Sequence, residues 1–185
     1  MTTSIETLRA VQHPVRRRII EYLSVHGASQ VTTLARAMDL QVGSISHHLR
    51  MLERVDVVQR APELAADGRT SWWRMPEGST ISWSVDDFAD NPADRMQAKA
   101  AEKLNIEYQI RKLAAWKKEA DRADESWRRA AFSSSTSAVA TAEEFSDLQA
   151  RIDATVREWT ETIDKADGQE RLPVFVFSHG FPSRP

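Results

Sequence analysis

No cysteine occurs among the 185 residues, which excludes disulfides, thiolate metal ligands and cysteine nucleophiles and leaves a reducing compartment allowed. Glycine is scarce at six residues, and no phosphate-binding loop, nucleophile elbow or paired metal motif is present, so an enzyme is not expected. Nothing approaches the roughly 18 apolar residues of a membrane span. The first residues, MTTSIETLRAVQHPVRRR, lack the apolar centre of a signal peptide, so the expected location is the cytoplasm, with no membrane partner. Positive charge is not in excess either. A net charge of −2 argues against indiscriminate nucleic-acid binding.

What is present is enough apolar material for a core: 41% hydrophobic residues, including six Trp. The charge is unevenly placed. Residues 1 to 78 carry 10 Lys and Arg against 8 Asp and Glu, whereas residues 79 to 185 carry 15 against 19. The positive balance therefore lies in the first segment.

Within that segment the stretch from Gln41 to Arg54, QVGSISHHLRMLER, has the pattern of a helix with an unusual outer face. Ile45, Leu49 and Leu52 recur at three and four, which makes one apolar stripe. Opposite lie Gly43, Ser44, Ser46, His47, Arg50 and Arg54, with Glu53 as the only acid. Short hydroxyls, an imidazole and guanidiniums can approach a phosphate backbone and hydrogen-bond to base edges, as a helix seated in a major groove must. Gln41, Gly43, Ser44, Ser46, His47 and Arg50 are the candidate DNA-contacting residues of this helix. Gln41 is a weaker cap than Ser, Thr, Asp or Asn would be.

Upstream, Ile5, Leu8 and Val11 predict a short helix that Ser4 caps, with Glu6 in its first turn. His13-Pro14 ends it and starts another, whose core face is Val15, Ile19 and Leu23 with Ile20 and Tyr22 beside it, and which closes near His26-Gly27. Arg16, Arg17 and Arg18 form a basic run that either touches phosphate, with Arg16 as the candidate, or is solvated or paired. A third helix spans about Thr32 to Met38, and Asp39-Leu40-Gln41 turns the chain into the stretch above, which makes a helix-turn-helix. Val55 to Arg60 and Thr70 to Met75 read as two strands, with Asp67-Gly68 as turn residues between them. Arg69, after the turn glycine, reaches DNA from this wing or else pairs with Asp67 or Glu63. Trp72, Trp73 and Trp83 are too many indoles for a hairpin to expose, so some of them pack inward.

Residues 79 to 92 read as a Ser-rich acidic linker to a second module. From Asn91 to about Phe132 no Gly or Pro interrupts a helical pattern. One stripe is Met96, Ala100, Leu104 and Tyr108, and another is Ile106, Ile110, Leu113, Ala120 and Trp127. A continuous helix of this length would reach about 60 Å, so it either breaks or has another subunit along it. SSSTSAVA is a joint, and Thr141 with Glu144 makes a capping box for a helix with Phe145, Leu148, Ile152, Val156, Trp159 and Ile163 on one face. Residues 173 to 177, PVFVF, read as a terminal strand without an evident neighbour.

LRAVQHPVRRRIIEYL, LARAMDLQVGSISHHLRMLE and DGRTSWWRM, in this order over about residues 5 to 76, resemble the bacterial ArsR/SmtB-type winged-helix repressors. The second half, with DDFADNPADR, SWRRAAFSS and PVFVF, resembles extended actinobacterial members. The resemblance implies a homodimeric transcription regulator on a palindromic operator. It also implies a dimer interface from the first helix, with Ile5, Leu8 and Val11, and from the helix after Pro92, with Leu104, Tyr108, Ile110 and Leu113. Its metal sites do not transfer, because Cys is absent and residues 92 to 132 hold no His. His47 and His48 point about 100° apart on a helix, so they do not share an ion easily, and His26 and His179 are isolated. No metal or cofactor is expected. His47 is read as facing DNA and His48 as a partly buried packing residue.

The expected fold is therefore mainly α with a small β-hairpin, a winged helix-turn-helix over 1 to 78 followed by a helical dimerisation or effector region over 79 to 185. The expected partner is a double-stranded operator. The alternative is a winged-helix module for protein–protein contact whose working surface is the second half. Trp116, Trp127, Trp159, Phe145 and Tyr108 form core and dimer interface, or enclose an unidentified small apolar effector.

Overall fold

The computed structural model describes residues 3–65, 70–77, 81–164 and 167–183. Four helices open the chain: α1 Ile5–Gln12, α2 Pro14–His26, α3 Val31–Met38 and α4 Val42–Glu53. Their ends follow local chemistry. Ser4 Oγ accepts from the Thr7 N–H, and the α1–α2 joint is the single residue His13, whose Nδ1 accepts from the Val15 N–H at 3.2 Å. Gly27 closes α2 at φ 73°, a conformation that a side chain would disfavour. Asp39 ends α3 in the left-handed region, where Asp is tolerated, and its N–H bonds back to Ala35 and Arg36.

Three short strands follow a mixed order in the chain. β1 is Ser29–Gln30, β2 is Gln59–Arg60 and β3 is Trp72–Arg74. They form an antiparallel sheet in the order β1-β3-β2, with Ser29 opposite Trp73 and Arg60 also opposite Trp73. The hairpin expected from sequence is thus present in shorter form, and a third strand from the α2–α3 connection joins it. The expected Asp67-Gly68 turn and Arg69 lie outside the described residues.

One core holds this part together. Ile19 and Leu23 of α2, Leu34 and Met38 of α3, and Ile45, Leu49 and Leu52 of α4 are buried with Val57, Val58 and Trp73. Burying Leu- and Ile-sized side chains contributes about 1.5–3 kcal/mol each, so the α4 stripe alone is a major reason the helix stays in place. A smaller cluster joins Leu8 to Ala98 and Ala101, with Ile5, Trp83, Val85 and Phe88 around it.

That smaller cluster alters the organisation read from sequence. Composition puts a boundary after residue 78, whereas the structure divides between Arg111 and Lys112. Trp83, Val85 and Phe88 of the supposed linker, and the first turns of α5 (Pro92–Glu119), pack with Leu8 and so belong to the first unit. Tyr108 of α5 donates to Glu21 Oε2 at 2.6 Å, and the Arg17 guanidinium lies 4.4 Å from the Tyr108 ring centroid.

The long helical pattern breaks. After α5 come a 3-10 turn at Ala120–Arg122 and a short α6 at Glu125–Ala130, so the single continuous helix is not formed. α7, Ala142–Glu161, starts with the expected capping box: Glu144 N–H donates to Thr141 Oγ1 at 3.2 Å, and Glu144 Oε2 accepts from Thr141 N–H at 2.8 Å. Gly180 lies against the Phe145 ring, where an added Cβ would collide with it. Residues 173 to 177 do not form the expected strand and remain irregular and mostly exposed. β-Rich composition without a neighbouring edge to complete its hydrogen bonds does not make a strand. No described residue from Lys112 onward is buried.

Candidate nucleic-acid interface

The candidate face is built on α4. Ile45, Leu49 and Leu52 are fully buried, which orients the helix and turns its other side outward. On that side Gln41, Val42, Gly43, His47, Arg50 and Arg54 are exposed, and Ser44 and Ser46 are half-buried. Gln41 is the residue before the helix and makes no side-chain cap bond, so the N–H groups of the first turn have no such partner from it. Ser46 Oγ donates to Val42 O at 2.9 Å, and Arg50 Nε donates to Ser46 O at 3.2 Å. Glu53, the one acid of this helix, is paired with Arg60 Nε at 3.1 Å. The face therefore presents donors and positive charge with its local carboxylate already bound.

Val42 was missed by sequence reasoning. It is 47% exposed in the first turn of α4, where an apolar side chain can meet a thymine methyl. Its position three residues before Ile45 continues the spacing of the buried stripe, so periodicity gave no signal of its exposure.

Arg16 has partners within the chain. Its Nη2 donates to Arg9 O at 3.2 Å and its Nε to Ala10 O, so the guanidinium closes the C-terminal end of α1, and its burial lowers its pKa. The rest of the basic run also has internal partners. Arg17 stacks on Tyr108, and Arg18 Nη2 donates to Met38 O at 3.3 Å. Of the two readings of that run, the paired one describes these contacts.

The residues assigned to a dimer interface separate into two groups. Leu8 is 1% exposed and packs on Ala98 and Ala101 within the chain, and Tyr108 is half-buried and engaged by Glu21 and Arg17. Ile5 is half-buried beside a cavity of about 100 Å³ that Leu8, Arg9, Gln12, Gln97 and Ala100 also line. Leu104, Ile110 and Leu113 are exposed on α5, Ile110 by 57%. That cavity is smaller than the roughly 300–1,000 Å³ typical of drug-sized ligand sites.

His47 is exposed, and His48 is half-buried with its Nδ1 enclosed and unpartnered among the described residues. Among those residues no group of three or more His, Asp or Glu is placed to hold a metal ion, and no helix is long and apolar enough to cross a membrane.

Residues 12–60, which run from the end of α1 through β2, match the family described as "Helix-turn-helix domain". No curated protein matches the chain. Among solved structures, a double mutant of Lactococcus lactis ZitR in its apo form is 11% identical at a TM-score of 0.37, covering 80% of this chain and 83% of that one. A second structure of the Lactococcus lactis ZitR double mutant is 12% identical at a TM-score of 0.37, covering 80% of this chain and 75% of that one.

Gly43 offers a local test of close approach. A Cβ there meets nothing within 4 Å among the described residues, so its smallness serves no contact with them. Gly43→Ala is expected to leave stability unchanged or raise it by up to about 0.5–1 kcal/mol, because Gly is the poorer helix former. If duplex backbone passes this point, the same change lowers duplex affinity. Urea denaturation and fluorescence anisotropy on one protein preparation separate the two effects.

Proposed function

We propose that the chain is a sequence-specific, double-stranded-DNA-binding transcriptional regulator that acts in the cytoplasm as a homodimeric repressor on a palindromic operator. The observation that carries this reading is the outer face of α4, which has exposed His47, Arg50 and Arg54, accessible small residues, and its only acid neutralised by Arg60. The helix-turn-helix match over residues 12–60 covers the same elements. In this reading Ser44, Ser46, His47 and Arg50 read bases or position the duplex, Gln41 and Gly43 lie at the helix start nearest the phosphates, Val42 meets an apolar base edge, and Arg69 acts from the wing. Two copies join through exposed apolar residues of α5, Leu104 on one stripe and Ile110 and Leu113 on the other.

Duplex binding should weaken steeply with salt, since each neutralised phosphate releases counterions and log K falls by about 0.9 per contact per decade of salt. Anisotropy with a bound duplex over a range of salt concentrations measures that slope. A flat dependence contradicts the proposal.

A second reading, a module for protein–protein contact, is favoured by the exposed apolar side chains of α5 and α7, such as Ile110, Leu113, Leu148 and Trp159. It predicts a partner complex that forms without sequence preference for any duplex.

A further inference from the structure

Three imidazoles and a guanidinium meet where the α1–α2 joint touches α4. The His13 and His48 rings lie with centroids 4.6 Å apart at 40°, and the His47 ring meets His48 edge-on at 5.6 Å. His13 Nδ1 accepts the Val15 N–H, so that nitrogen carries no proton while the cap is made. His48 Nδ1 is enclosed with no hydrogen-bond partner among the described residues. The groups acting on this pair are Arg16 from α2 and His47 from α4, both basic, together with His13 acting on His48. No carboxylate is among them.

We propose that His13 and His48 form a proton-operated latch that seats α4 against the α1–α2 joint while both rings are neutral and loosens when either takes up a proton. A charge on His48 faces His13 and Arg16 with no anion to balance it. At His13, protonation of Nδ1 would also replace the acceptor that caps α2 with a donor. Burial first, and then the neighbouring positive groups, hold both imidazoles below the ordinary value of 6.5.

The direction of the pH effect follows. The folded state binds fewer protons than the unfolded chain, whose imidazoles titrate near 6.5, so this contribution to stability is complete above that pH. It is lost as pH falls from there through the lowered folded values. Each unit between the two pKa values changes the folding equilibrium roughly tenfold. A consequence for duplex binding rests on the DNA-binding reading of α4; the latch itself does not.

The test uses the full chain, with NMR titration of the imidazoles and urea midpoints from about pH 8 to about pH 5. The expected result is that His13 and His48 titrate below 6.5 and that the midpoint falls on the acid side. Two variants keep the test independent of damage to the fold. His13→Asn retains a good cap acceptor, and His48→Leu removes a buried unpaired nitrogen, so both should fold at about pH 8 and lose much of the acid sensitivity. Both rings titrating at or above 6.5, or both variants keeping the full wild-type pH dependence, would overturn the latch. Titrations as expected with no duplex binding at any pH support the latch and contradict the DNA-binding reading instead.

Discussion

Leu49→Ala is expected to destabilise the first unit by about 2–5 kcal/mol, the range for removing a buried leucine side chain and leaving a cavity. Leu49 is fully buried at the centre of the α4 stripe, between Ile45 and Leu52, in the core that also takes Ile19, Leu34 and Trp73. Domains of ordinary stability have about 5–15 kcal/mol to lose, so this one change removes a large fraction of it. Urea denaturation followed by circular dichroism measures the loss, and Leu49→Met, which conserves volume, should cost less than about 1.5 kcal/mol. Duplex binding by Leu49→Ala should fall only as far as the folded population falls. That pattern distinguishes a residue that holds the helix from one that touches the ligand.

Arg50→Ala is the complementary case, with an effect on binding and little on folding. Arg50 neighbours Leu49 in sequence but is exposed, and its one described bond, from Nε to Ser46 O, is a surface interaction within the same helix. Truncation is expected to cost about 1–3 kcal/mol of duplex affinity, or roughly fivefold to more than a hundredfold, while the urea midpoint stays near that of the wild type. The form of the loss identifies the contact. A base contact relaxes preference at one position of the site, whereas a phosphate contact weakens all sequences alike and lowers the salt slope by about one. Anisotropy on a set of singly substituted duplexes separates the two.

The helices of the first unit were legible in sequence because each end carries its own local signal. Ser4, Pro14, Gly27 and Asp39 stand at ends that the structure places at or next to them, and the apolar spacing of α4 named its buried side. β1 was not legible. Ser29 and Gln30 are a polar pair that become strand only because Trp73 and Trp72 lie opposite. The packed face of α5 was missed for a different reason. Sequence reading ranked its large apolar residues first, yet Ala98 and Ala101 are the buried ones, while Met96 is 69% exposed. Small residues let a helix approach closely, and periodicity weighted by size does not see them.

The candidate site was readable to a similar depth. The outward placement of His47 and Arg50 and the half-burial of His48 follow from the stripe behind them. The use of Arg16 does not, because it depends on where the last carbonyls of α1 fall in space. In the same way PVFVF has strand-forming residues, but strand formation needs an edge to pair with and composition cannot supply one. The break after Glu119 has no Gly or Pro to mark it, although Asp121 and Asp124 are residues that favour turns and caps over helix interiors.

Two copies of α4 reading a symmetric DNA site would leave their mark in a selection of bound sequences from random duplex DNA by the purified full chain. The expected product is an enriched inverted repeat whose half-sites are centred about 10–10.5 base pairs apart, or a multiple of that spacing, lost on Arg50→Ala. Recovery of unenriched random sequence by a folded protein would contradict it.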